Sequence, residues 1–234
     1  MDATNLGQLN DARRARRAAI LLTDLETGDD SVVLEGDSVS PSFGLAIQAA
    51  FRSGRSTSIE ANGRRYFLNV HLPPAHIVVI GAVHISQILS QMASLAGFDV
   101  RIIDPRTAFA TPERFLGIDL TADWPVDALK VRPLDAYTAL VAVTHDPKID
   151  DFPITEALRI GCFYVGALGS RKTHAARLGR LRAEGVDEAA LARISGPIGL
   201  NIGAASPAEI AVAILAEIVH TLRTREISPT GDNK

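Results

Sequence analysis

The pattern of apolar and polar positions changes near Pro73 and Pro74. Before these prolines, the pattern predicts an N-terminal helix followed by short apolar runs typical of strands and one further helix. Glycines separate these elements. The strand-like runs are residues 19–22, 32–34 and 66–70, and the helix is residues 44–53. The pattern predicts a small α+β domain over residues 1–72 that contains no recognisable catalytic grouping. The two prolines would stop its last strand and mark the domain boundary.

From His76 onward, short apolar runs alternate with segments of helical periodicity. The predicted strands are residues 76–80, 98–103, 139–143 and 163–165, and the predicted helices are residues 85–96, a helix beginning at Thr111, and residues 150–160, 170–184, 187–194 and 206–223. This alternation is typical of parallel βαβ units. We therefore predict an α/β fold: a Rossmann-like, doubly wound, mainly parallel sheet over residues 76–227, followed by a polar tail after Ile227.

Composition and charge exclude several classes of partner. The chain has 234 residues, 47% of them apolar and 22% charged, with a formal net charge of −3. A net charge of this sign produces no broad positive field, so we expect no nucleic-acid partner. No apolar run approaches the roughly 18–20 residues that cross a bilayer, and we expect no membrane partner. The single cysteine, Cys162, cannot form an internal disulfide, which predicts a cytoplasmic protein and an inert buried thiol.

The turn after the first strand of this sheet is a candidate nucleotide-binding loop. In an open parallel sheet, the ligand crevice lies beyond the carboxyl ends of the strands. The turn begins at Gly81 but has Val83 and Ser86 where the dinucleotide motif G-x-G-x-x-G has its other glycines. Asp104 stands near the position expected for a ribose-binding acid, and Arg106 is placed to meet a phosphate. A ligand-free strand-to-helix turn remains the alternative.

The loop after the last predicted strand is a stronger candidate for phosphate binding. Gly166 and Gly169 permit an unusual backbone path, and Ser170 is placed to cap the next helix. The free N–H groups at that helix start would face outward beside Arg171 and Lys172, which suits a phosphate. The alternative is a well-capped helix with two solvated cations.

Two further segments carry candidate chemistry. Thr144, His145 and Asp146, followed by Asp150 and Asp151, suit acid–base chemistry, a divalent ion or simple turn formation. His84, His145 and His174 would share one rim, which does not by itself predict a metal site. The apolar loop at residues 197–203 would line the floor of the crevice or an interface.

Together these segments resemble the XdhC/CoxI family, the accessory factors of xanthine dehydrogenase and related molybdenum hydroxylases. The resemblance spans residues 73–223, and its motifs are THDP and IDD within residues 140–151, YVGALGSRKT at 164–173, Arg177 with Leu178 and Leu181, PIGLNIG at 197–203 and SPAEIAVAILAE at 206–217. Several ordered motifs at the family's spacing are more specific than any single loop.

The resemblance implies a Rossmann-like domain and a protein that binds molybdenum cofactor (molybdopterin) without a turnover reaction of its own. It implies that a cysteine desulfurase installs the terminal sulfur of the bound cofactor, and that the protein then assists insertion into a hydroxylase such as xanthine dehydrogenase. It also implies a homodimer. With the loops above, it predicts cofactor contacts at Gly81, His84, Asp104, Arg106, His145, Asp146, Gly169, Ser170, Arg171, Lys172, Gly199 and Gly203, with no catalytic residue and no resident metal.

The sequence departs from the family pattern in two places, and two other functions stay open. The first turn is GAVH where the family usually has GAGH, and no cysteine precedes His76 although the family's N-terminal region usually carries one. One alternative is an NAD(P)-dependent oxidoreductase, suggested by the βαβ start and Asp104. The other is a docking module without cofactor binding, which would use the loop at residues 197–203 and the N-terminal unit.

Overall fold

The computed structural model describes residues 2–225. The described residues divide into two compact units, one containing the chain up to Pro73 together with the residues from Arg223, and the other running from Pro74 to Leu222. That these units are separate domains remains a prediction. The predicted end of the Rossmann-like domain at residue 227 and the predicted polar tail lie outside the described residues.

The N-terminal unit is a four-stranded antiparallel sheet with two helices. Its elements are α1 (Ala3–Arg14), β1 (Ala19–Asp24), β2 (Asp30–Leu34), α2 (Pro41–Ser53), β3 (Thr57–Ala61) and β4 (Arg64–His71), with the strand order β2-β1-β4-β3. Leu9 of α1 packs against Leu21 of β1. The structure adds β3, which the pattern did not predict because Ile59 is the one large apolar residue within it.

The second unit is a six-stranded sheet whose strands are all parallel. Its elements are β5 (His76–Ile80), α3 (His84–Leu95), β6 (Asp99–Ile103), β7 (Asp119–Thr121), α4 (Pro125–Val131), β8 (Thr138–Ala142), α5 (Pro147–Ile160), β9 (Tyr164–Ala167), α6 (Arg171–Ala183), α7 (Glu188–Leu191), β10 (Ile194–Ser195) and α8 (Pro207–Thr224). The order β10-β9-β8-β5-β6-β7 is that of a doubly wound Rossmann sheet. The predicted fold class is confirmed.

Helices cover both faces of the parallel sheet. Ile77 and Val79 of β5 face a core built with α3 and α8. Val78 and Ile80 face the opposite core, which α4, α5, α6 and α7 complete. Because both faces are buried, the central strands are continuous apolar runs, which is why the sequence pattern located them. No helix within residues 2–225 is long and apolar enough to span a membrane.

The predicted helix beginning at Thr111 is wrong. The structure has a single 3₁₀ turn at Pro112–Arg114 in an otherwise irregular connection between β6 and β7. Arg114 draws this connection back onto the first turn of the sheet, because its Nη1 donates to the carbonyl oxygens of Ala82 at 3.0 Å and Phe109 at 2.7 Å. A threonine followed by proline is compatible with a helix start, but the turn ends at Arg114, and Gly117 follows with φ +74°. The short elements β7, α4 and β10 were also not predicted.

Replacing Gly81 with alanine should destabilise the second unit. Gly81 has φ +118°, and a Cβ there would lie 2.9 Å from Cγ2 of Thr144. Backbone strain of this kind costs roughly 1–3 kcal/mol before the steric clash is added. We expect the free energy of unfolding, measured by urea denaturation followed by circular dichroism, to fall by about 2 kcal/mol or more.

Gly179 supplies a matched control within the same unit. It lies inside α6, and a Cβ there would meet no described atom within 4 Å. Gly179→Ala should therefore raise the free energy of unfolding by about 0.5–1 kcal/mol, as alanine does in a helix interior. Equal effects at the two glycines would contradict the account of Gly81.

Candidate functional site

The candidate site lies at the carboxyl edge of the parallel sheet, where β5 and β8 are neighbours. The chain leaves β5 into α3 on one face and leaves β8 into α5 on the other. Connections that part to opposite faces open a crevice between them, and this is where open α/β sheets bind ligands. The predicted loops at this edge are therefore close to one another in the fold.

Gly81 makes the strand-to-helix turn possible. Its N–H donates to the carbonyl oxygen of Ile103 at 2.8 Å, and the carbonyl of Gly81 accepts from Oγ of Ser86 at 2.5 Å. The buried Ser86 thus occupies the position of the third glycine of the dinucleotide motif and braces the turn from within. Val83 precedes the first helical residue of α3, and its branched side chain stands where the motif lets backbone approach a pyrophosphate.

The carboxylate of Asp104 binds both this turn and Arg106. The Asp104 carboxylate is 0% exposed and accepts from the N–H of Ala82 at 2.7 Å. Nε and Nη2 of Arg106 bind the same carboxylate at 2.9 and 2.8 Å, and the Arg106 N–H donates to it at 2.9 Å. Burial acts to raise the pKa of Asp104, but the hydrogen bonds from Arg106 and Ala82 outweigh it and hold this pKa below its usual value. With both oxygens engaged, Asp104 positions Arg106, whose guanidinium stacks 4.6 Å from the ring centre of Phe109.

Asp150 organises the residues that follow β8. Its carboxylate is 1% exposed and accepts from Oγ1 of Thr144 at 2.7 Å and from the N–H of His145 at 3.1 Å. Oγ1 of Thr144 accepts in turn from the N–H of Asp146 at 3.0 Å. His145 is exposed and has φ +64°, while Asp146 caps α5 by accepting from the N–H of Lys148. Burial raises the pKa of Asp150 to about 6 despite these hydrogen bonds.

Arg177 is a second buried charge near Asp150. Its side chain is in α6 and reaches back to the loop before the helix, where Nη2 donates to the carbonyl oxygen of Leu168 at 3.0 Å. Arg177 is 2% exposed, and within residues 2–225 its Nε and Nη1 have no hydrogen-bond partner. Burial lowers the pKa of Arg177, and the negative charges of Asp150 and Asp151 oppose this shift. The charges of Asp150 and Arg177 therefore link the loop after β8 to the loop after β9.

The start of α6 is capped by Ser170, as the sequence predicted, and phosphate binding there stays a prediction. Gly169 has φ +143°, and Ser170 caps the helix by accepting from the N–H of Thr173 at 3.2 Å. The N–H groups of the first two helical residues have no partner in an α-helix, and these residues are Arg171 and Lys172, both exposed. An oxyanion at this point would meet backbone donors and two cations together.

The loop at residues 197–203 is packed on one side and open on the other. The N–H of Gly199 donates to Oε2 of Glu217 in α8 at 2.8 Å, and a Cβ at Gly199 would lie 3.0 Å from that of Ala213. Leu200 and Ile202 remain 39% and 52% exposed. Gly199 is therefore held against α8, and Gly203 adopts φ +74° in the exposed part of the loop.

The structure places most of the predicted contacts at one edge of the sheet. Gly81, Asp104, Arg106, His145, Asp146 and residues 169–172 belong to the four loops described above, and His84 is the exposed first residue of α3. His174 is partly buried in α6, with its ring against Gly196.

Among the described residues, no three His, Cys, Asp or Glu side chains are arranged to hold a metal ion. Cys162 is buried, which raises its pKa to about 12.

Sequence reasoning missed the organising roles of Asp150, Arg177 and Arg114. A signal existed for the first two, since each lies beside apolar positions of its helix that face the core. Asp150 follows Ile149, and Arg177 precedes the buried Leu181 by one helical turn. A charged residue on a buried helical stripe is rarely placed there without a partner. Arg114 gave no such signal, because its partners are backbone carbonyls of an irregular loop.

Comparison with known proteins gives a match over most of the second unit. A family model described as the XdhC Rossmann domain matches residues 77–218. The chain is 34% identical over 170 residues to the protein YqeB of Escherichia coli, covering 70% of this chain and 30% of YqeB. It is 31% identical over 150 residues to a probable xanthine dehydrogenase subunit of Bacillus subtilis, covering 64% of this chain and 43% of that protein.

Two further comparisons agree with this match. The chain is 26% identical over 147 residues to the molybdenum cofactor insertion chaperone PaoD of Escherichia coli, covering 62% of this chain and 40% of PaoD. A crystal structure described as a xanthine dehydrogenase from Bacillus halodurans superposes with a TM-score of 0.64 at 21% identity, over 95% of this chain and 65% of that one. At that identity the superposition shows the fold alone. The aligned residues span less than half the length of each curated relative.

The pKa of Asp150 predicts a dependence of stability on pH. In the unfolded chain this carboxyl ionises near 3.8, and in the folded chain near 6, so the unfolded state binds fewer protons between these values. Stability from this residue is therefore greatest at low pH and falls as pH rises toward 6. Relative to Asp150→Asn, which cannot ionise, the native chain should lose about 2 kcal/mol of unfolding free energy between pH 4 and pH 7. Urea denaturation across this range measures the difference, and parallel curves for the two proteins would contradict it.

Proposed function

The chain belongs to the XdhC family, and from this membership we propose that it is an accessory protein that binds molybdenum cofactor for a molybdenum hydroxylase. The observation that carries the proposal is that the family match, residues 77–218, encloses every loop of the carboxyl edge. The names of two relatives, a molybdenum cofactor insertion chaperone and a probable xanthine dehydrogenase subunit, support it. The chain would act by holding and releasing its cargo, without a turnover reaction of its own.

The chemistry of the edge suits this cargo. Molybdopterin combines a phosphate with a polar pterin ring system. The phosphate would bind at the start of α6, where the N–H groups of Arg171 and Lys172 and their side chains face solvent. The pterin would lie toward Arg106, His145 and Asp146. In this arrangement Asp104 acts by fixing the direction of Arg106.

The steps that the cargo undergoes follow from the same proposal. A cysteine desulfurase would install the terminal sulfur of the cofactor while the cofactor is bound, and the protein would then assist insertion into a hydroxylase such as xanthine dehydrogenase. The protein would work in the cytoplasm as a homodimer. Its partners would be the desulfurase and a molybdenum hydroxylase subunit.

One observation favours a second function, a docking module. Leu200 and Ile202 are 39% and 52% exposed in a loop whose other side is held against α8 by Gly199. An apolar loop presented in this way suits contact with a partner protein. If the chain captured a hydroxylase subunit in a pull-down but retained no pterin, this result would favour docking alone. An NAD(P) site has less support, because Val83 replaces a motif glycine and both oxygens of Asp104 are already hydrogen-bonded.

Cofactor retention tests the main proposal. The chain, purified from cells that synthesise molybdenum cofactor, should release a pterin that fluoresces after oxidation. Arg171→Ala should lower the retained pterin about tenfold, because a lost hydrogen bond to a charged group costs roughly 1.5–3 kcal/mol. The fold should be unchanged, since Arg171 is exposed.

Arg182→Ala is the matched control for this measurement. Arg182 lies at the other end of α6, where it is 52% exposed and pairs with Glu188. Its loss should leave retention within about twofold of native, because exposed ion pairs contribute little to stability. No pterin above an unrelated protein would reject cofactor binding, and equal retention by Arg171→Ala and native chain would reject the phosphate site.

A further inference from the structure

His145 has a backbone conformation that residues other than glycine seldom adopt. Its φ of +64° lies in the left-handed region. Among residues 2–225, the other non-glycine residues with positive φ are Arg16 and Asn62. Asn62 lies in the hairpin between β3 and β4, where asparagine commonly takes this conformation. His145 instead follows β8 at the edge where the crevice opens, and strained backbone of this kind persists where surrounding groups fix it.

The carboxylate of Asp150 is the group that fixes His145. One of its oxygens accepts from the N–H of His145 at 3.1 Å, and the other accepts from Oγ1 of Thr144 at 2.7 Å. Because Oγ1 of Thr144 also accepts from the N–H of Asp146, three consecutive residues depend on one carboxylate. The side chain of His145 itself remains exposed.

This arrangement is costly to the folded chain. Asp150 is 1% exposed, and within the described residues no direct ion pair compensates its charge: its hydrogen-bond partners are a hydroxyl and a backbone N–H, and the charge of Arg177 acts on it only through space. The neighbouring Asp151, by contrast, forms a direct ion pair with Arg180 at 2.7 Å. A buried carboxylate without a direct cation lowers stability, so its presence at the ligand edge points to a role in the site.

We infer that Asp150 is a positioning residue of the ligand site, which holds His145 in the left-handed conformation so that its imidazole stands at the crevice and contacts the bound ligand. The inference rests on the proposed function and deepens it. The ligand group facing His145 would be a polar ring or carbonyl that exchanges hydrogen bonds with an imidazole. Arg177, by holding the carbonyl of Leu168, places the loop before α6 relative to the same carboxylate.

A double-mutant cycle on cofactor retention tests this role. Asp150→Asn should lower retained pterin about fivefold or more, and His145→Ala should lower it by a similar factor. The double variant should retain no less than either single variant, because residues that act through one another are not additive. Losses that multiply in the double variant, or native retention by Asp150→Asn, would overturn the inference.

Two further variants separate positioning from general damage to the fold. Asp151→Asn removes a neighbouring buried carboxylate that does not contact residues 144–146, and it should retain pterin within about twofold of native. Thr144→Val removes one of the two hydrogen bonds to Asp150 while keeping the side-chain shape, so it should reduce retention partly even if Asp150→Asn folds poorly. A loss with Asp151→Asn as large as that with Asp150→Asn would count against a specific role.

A measurement on the ligand-free chain tests the positioning role of Asp150 independently of the proposed cofactor binding. In nuclear magnetic resonance spectra of His145→Gln, in which residue 145 cannot itself ionise, the amide resonance of residue 145 should shift as Asp150 takes up a proton, and the shift should vanish when Asp150→Asn is added. The charged groups that act on Asp150 or lie near it are Arg177 and Arg180 in α6, Arg106 in the loop after β6, and the neighbouring carboxylates of Asp146 and Asp151. The three arginines stay protonated throughout this range. If the native chain retains no pterin, the proposed function fails, and the amide resonance still decides whether Asp150 holds His145. An amide of residue 145 that does not respond to pH in His145→Gln would overturn the positioning role.

Discussion

The ligand edge of this protein depends on the absence of a side chain at Gly81. At this residue the chain turns from β5 into α3 while Thr144 passes close by after β8, and a Cβ would lie 2.9 Å from the threonine methyl. The close approach keeps the two central strands paired to their ends, after which their helices part to opposite faces of the sheet. Ser86 and Asp104 then hold the turn from either side through its carbonyl and the following N–H.

Three buried carboxylates lie at this edge, those of Asp104, Asp150 and Asp151, and they are stabilised in different ways. These differences distinguish the structural roles of Asp104 and Asp151 from the role in the ligand site that we propose for Asp150. Asp104 and Asp151 are each bound by two nitrogen atoms of an arginine, Arg106 and Arg180 respectively. Asp150 has hydrogen bonds from uncharged donors and a more distant cation, Arg177. A carboxylate in that position is harder to ionise, which fits a group retained to shape a site and not to strengthen the fold.

The parallel sheet and its order along the chain were largely predictable. Central strands buried on both faces are continuous apolar runs, and the helices between them show their apolar stripe at helical spacing. The prediction failed where elements are short or irregular. The strands β7 and β10 have three and two residues, too few to show a period. The connection after β6 takes its shape from Arg114, whose partners Ala82 and Phe109 no local pattern could indicate.

The sequence by itself determined the family, the parallel architecture and the loops at the carboxyl edge, because local periodicity and ordered motifs record which positions are buried and where strands end. Only the tertiary structure decided what the charged residues do there. Asp104, predicted to contact a ligand, turns inward to Ala82 and Arg106, and Asp150 turns to His145. The reason is physical: hydrogen bonds between loops depend on the packing of strands and helices that are distant in the chain, and on how deeply that packing buries each charge.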